Sequence, residues 1–360
     1  MSTSPLPRRN NPIVRTVLAL LVCLISLPAA SVGAVPSQHA QAGDKQSAGK
    51  KSMLEERRAL YDHMAAVTHI PWYRLAAIDQ YERTMTTAHP KDRRHSQRLT
   101  GIVFSEAVWA GALNPDPADQ SPRSIALFSG VGLDGSGDGL ADRENDLDLM
   151  YTMSRQIIRF GLREEDFHQA LWSYYHNSRA VQRIQQFARM YQSFDTLDLH
   201  AHAFPLPVSS DYSYRSTWGS GRSWGGYRIH EGTDLFARYG VPVRSTCFGI
   251  VEVKGWNPFG GWRIGIRDLD NHYHYYAHLS GYDKSISTGD LVKPGQTLGW
   301  VGSSGYGKPG TQGKFPPHLH YGIYRDNGLT EWSFDPYPLL HQWENAERTA
   351  IRSKKKGPRT

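Results

Sequence analysis

The sequence predicts a multi-domain α+β protein, with a helical N-terminal region followed by an all-β, antiparallel C-terminal region. The chain has 360 residues, and roughly 100–200 residues per domain suggests two domains. Up to about residue 195, apolar residues recur at spacings of three and four, which is typical of amphipathic helices. After Phe194, short runs rich in Tyr, Trp and aliphatic residues alternate with Gly, Asn and Asp turns, which favours strands.

Residues 1–34 have the features of an export signal. Three arginines precede an apolar run over residues 17–27, and Val32-Gly-Ala34 offers a small-residue cleavage site. The run is too short to span a bilayer comfortably. We therefore expect a secreted protein, extracellular or in the cell wall, without a stable membrane anchor after processing. A retained, uncleaved anchor is the alternative.

Composition and periodicity divide the rest of the chain into four segments. They are a polar linker expected to be disordered over 35–52, a helical domain over 53–200, an all-β domain over 201–345 and a basic, solvated tail over 346–360. Helices are predicted from Leu54, after Pro71 and across residues 146–160, 164–176 and 178–194, and strands at 249–254, 262–267 and 272–278.

Charge and cysteine content limit the classes of partner. The formal net charge is +7 with a pI near 9.3, which favours acidic partners. In an exported protein, these are the carboxylates and anionic polymers of the cell wall. No helix-turn-helix, zinc-finger or RNA-binding signature accompanies the charge, so we predict no nucleic acid partner. Cys23 would leave with the signal, so Cys247 would have no partner for an intramolecular disulfide.

Three short motifs in the C-terminal region contain metal-binding residue types. They are His230-Glu-Gly-Thr-Asp234, Tyr275-Tyr-Ala-His-Leu279 and Pro316-Pro-His-Leu-His-Tyr321. A catalytic zinc keeps three imidazole or carboxylate ligands and one water, and His230, Asp234 and one histidine of the last motif supply that number. His318 and His320 share a strand face, so one can bind metal while the other reaches the water.

Two further features of the sequence bear on the interpretation of these histidines. The spacing of His230 and Asp234 would place both on one face of a helix, but five glycines between residues 219 and 232 oppose a helix. We therefore place them on a loop that enters a strand. A second His-x-His pair, His272 and His274, lies in an aromatic strand, and we assign it a structural role.

The order H-x-x-x-D, Y-A-H-L and H-L-H resembles the lysostaphin-like (LytM-type) zinc metallopeptidases, which cut the peptide cross-links and stems of bacterial peptidoglycan. The resemblance covers about residues 205–340. It implies that His230, Asp234 and His320 bind zinc and that His318 and His278 are the catalytic histidines. It also implies an antiparallel sheet with the metal in a groove, whose walls we expect at 212–227 and 306–315.

The resemblance leaves the cleaved bond open, because different members of the family cut different peptide bonds. The two-domain arrangement resembles sporulation-associated wall endopeptidases, which favours the L-Ala to D-Glu stem bond. A catalytically inactive peptidoglycan-binding or activator protein is one alternative. A bifunctional enzyme that also cleaves glycan is the other.

The stretch LAAIDQYER in the helical region resembles the helix of lysozyme-like lytic transglycosylases that carries their catalytic acid, at the position of Glu82. Arg83 departs from that pattern, and a neighbouring cation would keep Glu82 ionised and therefore poor as a proton donor. We therefore expect a structural role for Glu82 in a lysozyme-like domain.

An Asp- and Gly-rich loop over Asp134–Asp142 matches the start of an EF-hand calcium site. Position twelve is Asn145 instead of a bidentate glutamate, which departs from the pattern. A similar loop occurs in lytic transglycosylase domains. The loop therefore suggests either a calcium site or a solvated turn.

Overall fold

The computed structural model describes residues 38–88, 98–223 and 226–356. The predicted export signal and Cys23 lie outside these ranges. Residues 48–360 form one compact unit, and the residues up to Ser47 form another, of which the described part is the beginning of the first helix. Within the described ranges, none of the helices has the length and apolarity needed to cross a membrane.

The N-terminal region is helical, as the apolar spacing predicts. Its helices are α1 (Gln38–Thr68), α2 (Trp72–Ala88), α3 (Glu106–Trp109), α4 (Pro122–Leu127), α5 (Asp146–Ile158), α6 (Glu164–Tyr175) and α7 (Ser178–Phe194). The linker prediction differs from the structure, because the chain is already helical at Gln38. Ala, Gln and Lys are frequent in this stretch, and all three favour helix despite being polar or small.

Asp79 joins the first two helices to the loop that precedes α3. Its buried carboxylate accepts hydrogen bonds from Tyr61 (2.5 Å), Arg57 (3.0 Å), Arg83 (2.9 Å) and Thr100 (2.7 Å). Burial would raise the pKa of Asp79, but the two guanidinium groups lower it to about 2. Asp79 is therefore an ionised anchor inside the helical region.

The environment of Glu82 differs from the prediction. Arg83 turns away from it to bind Asp79 and the carbonyl oxygen of Leu99. Tyr175 donates a 2.6 Å hydrogen bond to Glu82 instead. Burial raises the pKa of Glu82 to about 7. Glu82 is therefore partly protonated at neutral pH, and the expectation that Arg83 keeps it ionised is wrong.

The calcium prediction for Asp134–Asp142 is not supported by the structure. Asp134 accepts hydrogen bonds from the backbone amides of Gly137 (2.6 Å) and Gly139 (2.8 Å). Asp148, from the following helix, accepts from three further backbone amides of the loop. Because backbone donors occupy these carboxylates, the loop is a turn held by its own Asp134 and by Asp148 of α5.

The C-terminal region is an antiparallel sheet, as predicted. The strands are β1 (Tyr212–Tyr214), β2 (Gly221–Arg222), β3 (Arg228–Ile229), β4 (Thr233–Ala237), β5 (Pro242–Arg244), β6 (Gly249–Asn257), β7 (Gly261–Arg267), β8 (Tyr273–Tyr282), β9 (Leu291–Val292), β10 (Thr297–Val301), β11 (His318–Asp326) and β12 (Glu331–Phe334). The main path through the sheet is β1-β4-β11-β8-β7-β6-β9, so the strands that carry the three motifs are neighbours at its centre.

The C-terminal segment forms a helix, α8 (Tyr337–Lys356), where the sequence predicts a solvated tail from residue 346. Leu340 and Trp343 are buried in the core of the sheet. Glu344 accepts 2.6 Å hydrogen bonds from Tyr212 and Tyr214 of β1. These contacts anchor the first turns of α8 and let the charged end continue as helix, while residues 351–355 are exposed as expected.

The described residues form two hydrophobic cores that divide between Leu199 and Phe204, except that Leu269 of the sheet region packs into the first, although residues 48–360 form one compact unit. The domain boundary at residue 200 therefore stays a prediction. Buried charges connect α7 to the sheet: Arg183 and Gln186 both donate to Glu252 of β6, which also accepts from Arg267 of β7. The helical region is thus joined to the sheet by hydrogen-bonded ion pairs.

Candidate metal centre

Three of the predicted residues meet at the centre of the sheet. His230 follows β3, Asp234 lies on β4 and His320 lies on β11, directly opposite Asp234 in the strand register. His230 Nε2 and His320 Nδ1 are each 3.0 Å from Asp234 Oδ1, and the two nitrogens are 2.8 Å apart. These residues form a group that could hold a metal ion.

The surroundings of each candidate ligand fix its orientation. His230 Nδ1 lies 2.9 Å from the carbonyl oxygen of Thr217, to which it donates, so its Nε2 carries the lone pair. Arg222 binds the other oxygen of Asp234 at 2.5 Å. A Cβ added at Gly232 would lie 2.6 Å from the His320 ring, so only glycine lets the backbone approach that ring. Such outer contacts are typical of metal sites.

The donor set fits a cation. A histidine that binds metal must be neutral, and in neutral His230 the one ring proton is on Nδ1, committed to Thr217. Asp234 is ionised, so two of the three converging atoms then offer only lone pairs. At most one hydrogen, on His320, then lies among these three electron-rich atoms, so their lone pairs repel one another. A positive ion bound between them removes this repulsion. Two imidazoles and one carboxylate are a ligand set found in catalytic zinc sites.

His318 and His278 lie beside this group. His318 Nδ1 donates to the carbonyl oxygen of Pro316 (2.8 Å), and His278 Nδ1 donates to that of Ser304 (2.7 Å). These bonds leave both Nε2 atoms with lone pairs, and His318 Nε2 is 3.8 Å from Asp234 Oδ1. The rings of His278 and His318 are 4.8 Å apart.

A β-bulge positions His278. Along the β7–β8 ladder, Trp262 pairs with Leu279 and Ile264 with Tyr276, so Ala277 and His278 together face the single residue Arg263. His278 has φ = 64°, a conformation uncommon for residues other than glycine. Strict alternation would turn its side chain toward the core, and the bulge turns it to the same side as His320.

Burial keeps the imidazoles of His278, His318 and His320 neutral. It lowers the pKa of His278 well below the usual value, helped by the nearby His318 and His320, and it lowers the pKa of His318 and His320 as well. Burial would raise the pKa of Asp234, but contacts with His230 and His320 hold it well below the usual range. The site therefore contains the neutral imidazoles of His278, His318 and His320 beside one ionised carboxylate.

The site lies in a groove of about 520 Å³. Tyr273, Tyr275 and Tyr324 line its floor. Glycines make room for them: a Cβ at Gly265 would lie 1.9 Å from the Tyr273 hydroxyl, and one at Gly260 would lie 2.2 Å from the Tyr275 hydroxyl. Aromatic side chains therefore line the groove beside the metal centre.

The predicted groove walls correspond only in part to the structure. Tyr306 and Phe315 line the groove, as does Arg222 from the first predicted wall. At the start of that wall, Tyr212 and Tyr214 belong to β1 and bind Glu344, because their strand pairs with β4. Strand pairing of so short a segment has no clear signal in the sequence.

His272 and His274 lie away from the groove site, in contact with Asp268. His274 Nε2 is 2.9 Å from the Asp268 carboxylate, and His274 Nδ1 is 2.7 Å from the Tyr321 hydroxyl. Cys247 lies close enough to Asp268 and His274 to form another group of ligand-type atoms. The hydrogen bonds of His274 accord with the structural role assigned to it.

The sequence motifs do not single out Arg222 or Arg263, although Arg222 lies inside a predicted groove wall. Arg222 binds a candidate ligand, and Arg263 lines the groove. The motifs could not reveal them, because a basic residue in a Gly-rich segment is compatible with a solvated loop. For Arg263, the alternation Arg263-Ile-Gly-Ile-Arg267 was a usable signal, since the two isoleucines face the core and the arginines must face the other side.

Comparisons with known proteins agree with this site. The model of a family described as Peptidase family M23 matches residues 228–335. The L-Ala–D-Glu endopeptidase of Bacillus subtilis (strain 168) is 54% identical over 304 residues, which are 84% of this chain and 93% of that protein. Lysostaphin of Staphylococcus staphylolyticus is 37% identical over 114 residues, 31% of this chain and 22% of that protein.

Among solved structures, the catalytic domain of lysostaphin from Staphylococcus simulans is similar to this chain. The two are 31% identical with a TM-score of 0.30, over 37% of this chain and 92% of that domain.

Proposed function

The chain belongs to peptidase family M23, and we propose that it is a secreted zinc endopeptidase that hydrolyses the L-Ala to D-Glu bond in the peptide stems of bacterial peptidoglycan. The observation that carries the proposal is the convergence of His230 Nε2, Asp234 Oδ1 and His320 Nδ1 within 3.0 Å of one another at the end of an open groove. An inactive binding protein would not need this set.

We assign roles to five residues. His230, Asp234 and His320 hold the zinc, which when bound polarises the scissile carbonyl and makes water more acidic. His278 and His318 move protons through their Nε2 atoms, because their Nδ1 atoms are committed to the carbonyl oxygens of Ser304 and Pro316. Their fixed tautomers are suited first to accepting a proton and then, once protonated, to stabilising negative charge.

The similarity to the Bacillus subtilis endopeptidase supports the choice of bond. It covers 84% of this chain, which includes most of the helical region as well as the sheet. The lysostaphin match covers only 31% of the chain and supports the chemistry of the metal site rather than its substrate. Export and affinity for anionic wall polymers are supported by the N-terminal segment and the net charge of +7.

A second candidate function is glycan cleavage by the helical region, whose lysozyme-like character stays a prediction. The observation that favours it is the pKa of Glu82, raised by burial to about 7, a value suited to a general acid. Against it, the only side-chain hydrogen bond described for Glu82 ties it to Tyr175 of α6. We therefore regard Glu82 as a structural residue that connects α2 with α6.

Mass spectrometry of digested cell walls tests the proposed function. The wild-type protein should release fragments with L-Ala at a new C-terminus and D-Glu at a new N-terminus. Asp234→Ala should release none, because two protein ligands hold zinc poorly. New termini at a D-Ala cross-link would show that the bond assignment is wrong, and an absence of new peptide termini would contradict peptidase activity itself.

A further inference from the structure

We propose that Arg263 binds the free α-carboxylate of the D-Glu residue that follows the scissile bond, and that this contact makes the enzyme prefer stems with a carboxylate over stems with a carboxamide at that position. The inference rests on the proposed function, since it presumes cleavage at L-Ala to D-Glu. D-Glu is joined onward through its γ-carboxyl group, so its α-carboxylate lies next to the cleaved amide.

The charges in the groove single out Arg263. Three arginines line the groove. Arg222 is paired with Asp234, and Arg228 lies over the rings of Phe259 and Tyr306. Arg263 forms no ion pair within the described part of the chain, and its Nε is buried with no hydrogen-bond partner there. A guanidinium that lacks an acidic partner in the protein is available to one on the substrate.

The strand register places Arg263 in line with the metal centre. Asp234 pairs with His320, and His320 pairs with Ala277. Arg263 lies opposite Ala277 and His278 at the bulge. One row across the four neighbouring strands therefore contains Asp234, His320, Ala277 and Arg263, in that order. Neighbouring strands are about 4.8 Å apart, which puts the backbone of Arg263 roughly 10 Å from that of His320.

The residues between Arg263 and the metal centre are small and take little of the groove. Ala277 is buried beneath Gly260, where a Cβ would be 3.2 Å from the Ala277 methyl group, so Gly260 lines this part of the groove with backbone alone. The Arg263 guanidinium lies 6.0 Å from the centre of the Tyr275 ring, on the groove floor. A carboxylate held here would lie one residue from the carbonyl that the metal polarises.

Energetics favour discrimination by this contact. A hydrogen bond between charged groups contributes more than a neutral one, and the planar guanidinium can form two parallel bonds with a carboxylate but not with a carboxamide. We expect kcat/KM for the carboxylate form to exceed that for the carboxamide form by about 10- to 100-fold.

The test uses two synthetic muramyl tripeptides that differ only in the D-Glu α-group, carboxylate or carboxamide. We expect Arg263→Gln to bring the ratio of their kcat/KM values close to one, and Arg263→Lys to keep part of the preference because it keeps the charge. Arg325→Gln is the matched control, since Arg325 is an exposed arginine of β11 outside the groove, and it should keep the full ratio. Zinc content and circular dichroism confirm that each variant is folded.

Two outcomes would overturn the inference, and they differ in what else they overturn. Cleavage of both tripeptides at L-Ala to D-Glu with a ratio near one in the wild type, or with a ratio unchanged in both Arg263 variants, would overturn the role of Arg263 and leave the proposed function intact. Failure of the wild-type protein to cleave either tripeptide at that bond would overturn the proposed function together with the inference.

Discussion

At the scale of single residues, the site depends on side chains whose direction the backbone imposes. His278 faces the groove because of a bulge and a left-handed φ, and Gly232 lets the His320 ring lie against the backbone. The sequence motifs identify these histidines by their spacing, but the bulge is a consequence of how β7 and β8 pair. The spacing of the motifs therefore predicts which residues meet, and the pairing of the strands determines the direction of their side chains.

The same limit explains the wrong expectation for Glu82. Adjacency in sequence suggested that Arg83 would face Glu82, whereas successive residues of a helix point about 100° apart. Arg83 instead binds Asp79, four residues earlier and one turn away. Asp79 is buried and is held by Tyr61 and Arg57 from α1. The partner of Arg83 therefore depends on the packing of two helices, which the local sequence does not reveal.

Glu82→Gln is expected to leave peptide cleavage nearly intact and glycan products unchanged. It should also alter how stability depends on pH. The native carboxyl keeps its proton up to about pH 7, whereas a solvent-exposed glutamate releases it near the usual pKa of 4.5, so the native state binds more protons between these pH values. The free energy of unfolding of the wild type should fall with rising pH across this window, by at most about 3 kcal/mol.

In Glu82→Gln, that component of the pH dependence is absent, so the variant should gain stability relative to the wild type as pH rises from 5 to 8. Urea unfolding at both pH values measures the difference, and muropeptide analysis measures the products. Anhydro-muropeptides that appear with the wild type and vanish with Glu82→Gln would show that the helical region is an active transglycosylase.

At the scale of secondary-structure elements, α7 supports the strands that carry the end of the groove. Arg183 of α7 pairs with Glu252 of β6, Arg267 of β7 pairs with both Glu252 and Glu331, and Glu331 of β12 lines the groove. Asn177, at the start of α7, donates to the carbonyl oxygen of Gly328 between β11 and β12. The helical region thus holds the outer part of the groove in place.

Glu252→Ala should destabilise the protein by about 3–5 kcal/mol, because it leaves the guanidinium groups of Arg183 and Arg267 buried without their shared partner. Urea unfolding measures the loss. Glu55→Ala is the control, since the Glu55 side chain is 68% exposed in its pair with Lys51, and it should change the free energy of unfolding by less than ~0.5 kcal/mol. Equal effects of the two substitutions would contradict the importance of the buried network.

Secondary structure was predictable where one periodicity dominated. The helices α5 to α7 and the strands β6 to β8 fall where the apolar spacing places them. Helix α8 was missed because its charged second half hides the short apolar spacing of Leu340 and Trp343, although Pro338 near its start is a recognised helix signal. The ion pairs of Arg183 and Arg267 could not be predicted, because their partners are distant in sequence.

At the scale of the whole molecule, two hydrophobic cores lie in one compact unit, and the metal centre belongs to the second. The central strands β4, β11 and β8 contribute two of the three candidate ligands, Asp234 and His320, and the tyrosines that line the groove. Because neighbouring strands hold these ligands and tyrosines, metal binding and substrate binding depend on the same sheet. Substitutions of single side chains are therefore needed to separate the two.

The zinc peptidase assignment is tested most directly by measuring zinc content and wall digestion together in His318→Ala and His320→Ala. His320 is assigned to the metal, so its alanine variant should lose zinc and activity together. His318 is assigned to proton transfer, so its alanine variant should keep close to one zinc per chain while activity falls by ~10²–10⁴. Zinc lost from His318→Ala and kept by His320→Ala would reverse the two roles, and full activity in both variants would contradict a zinc peptidase at this site.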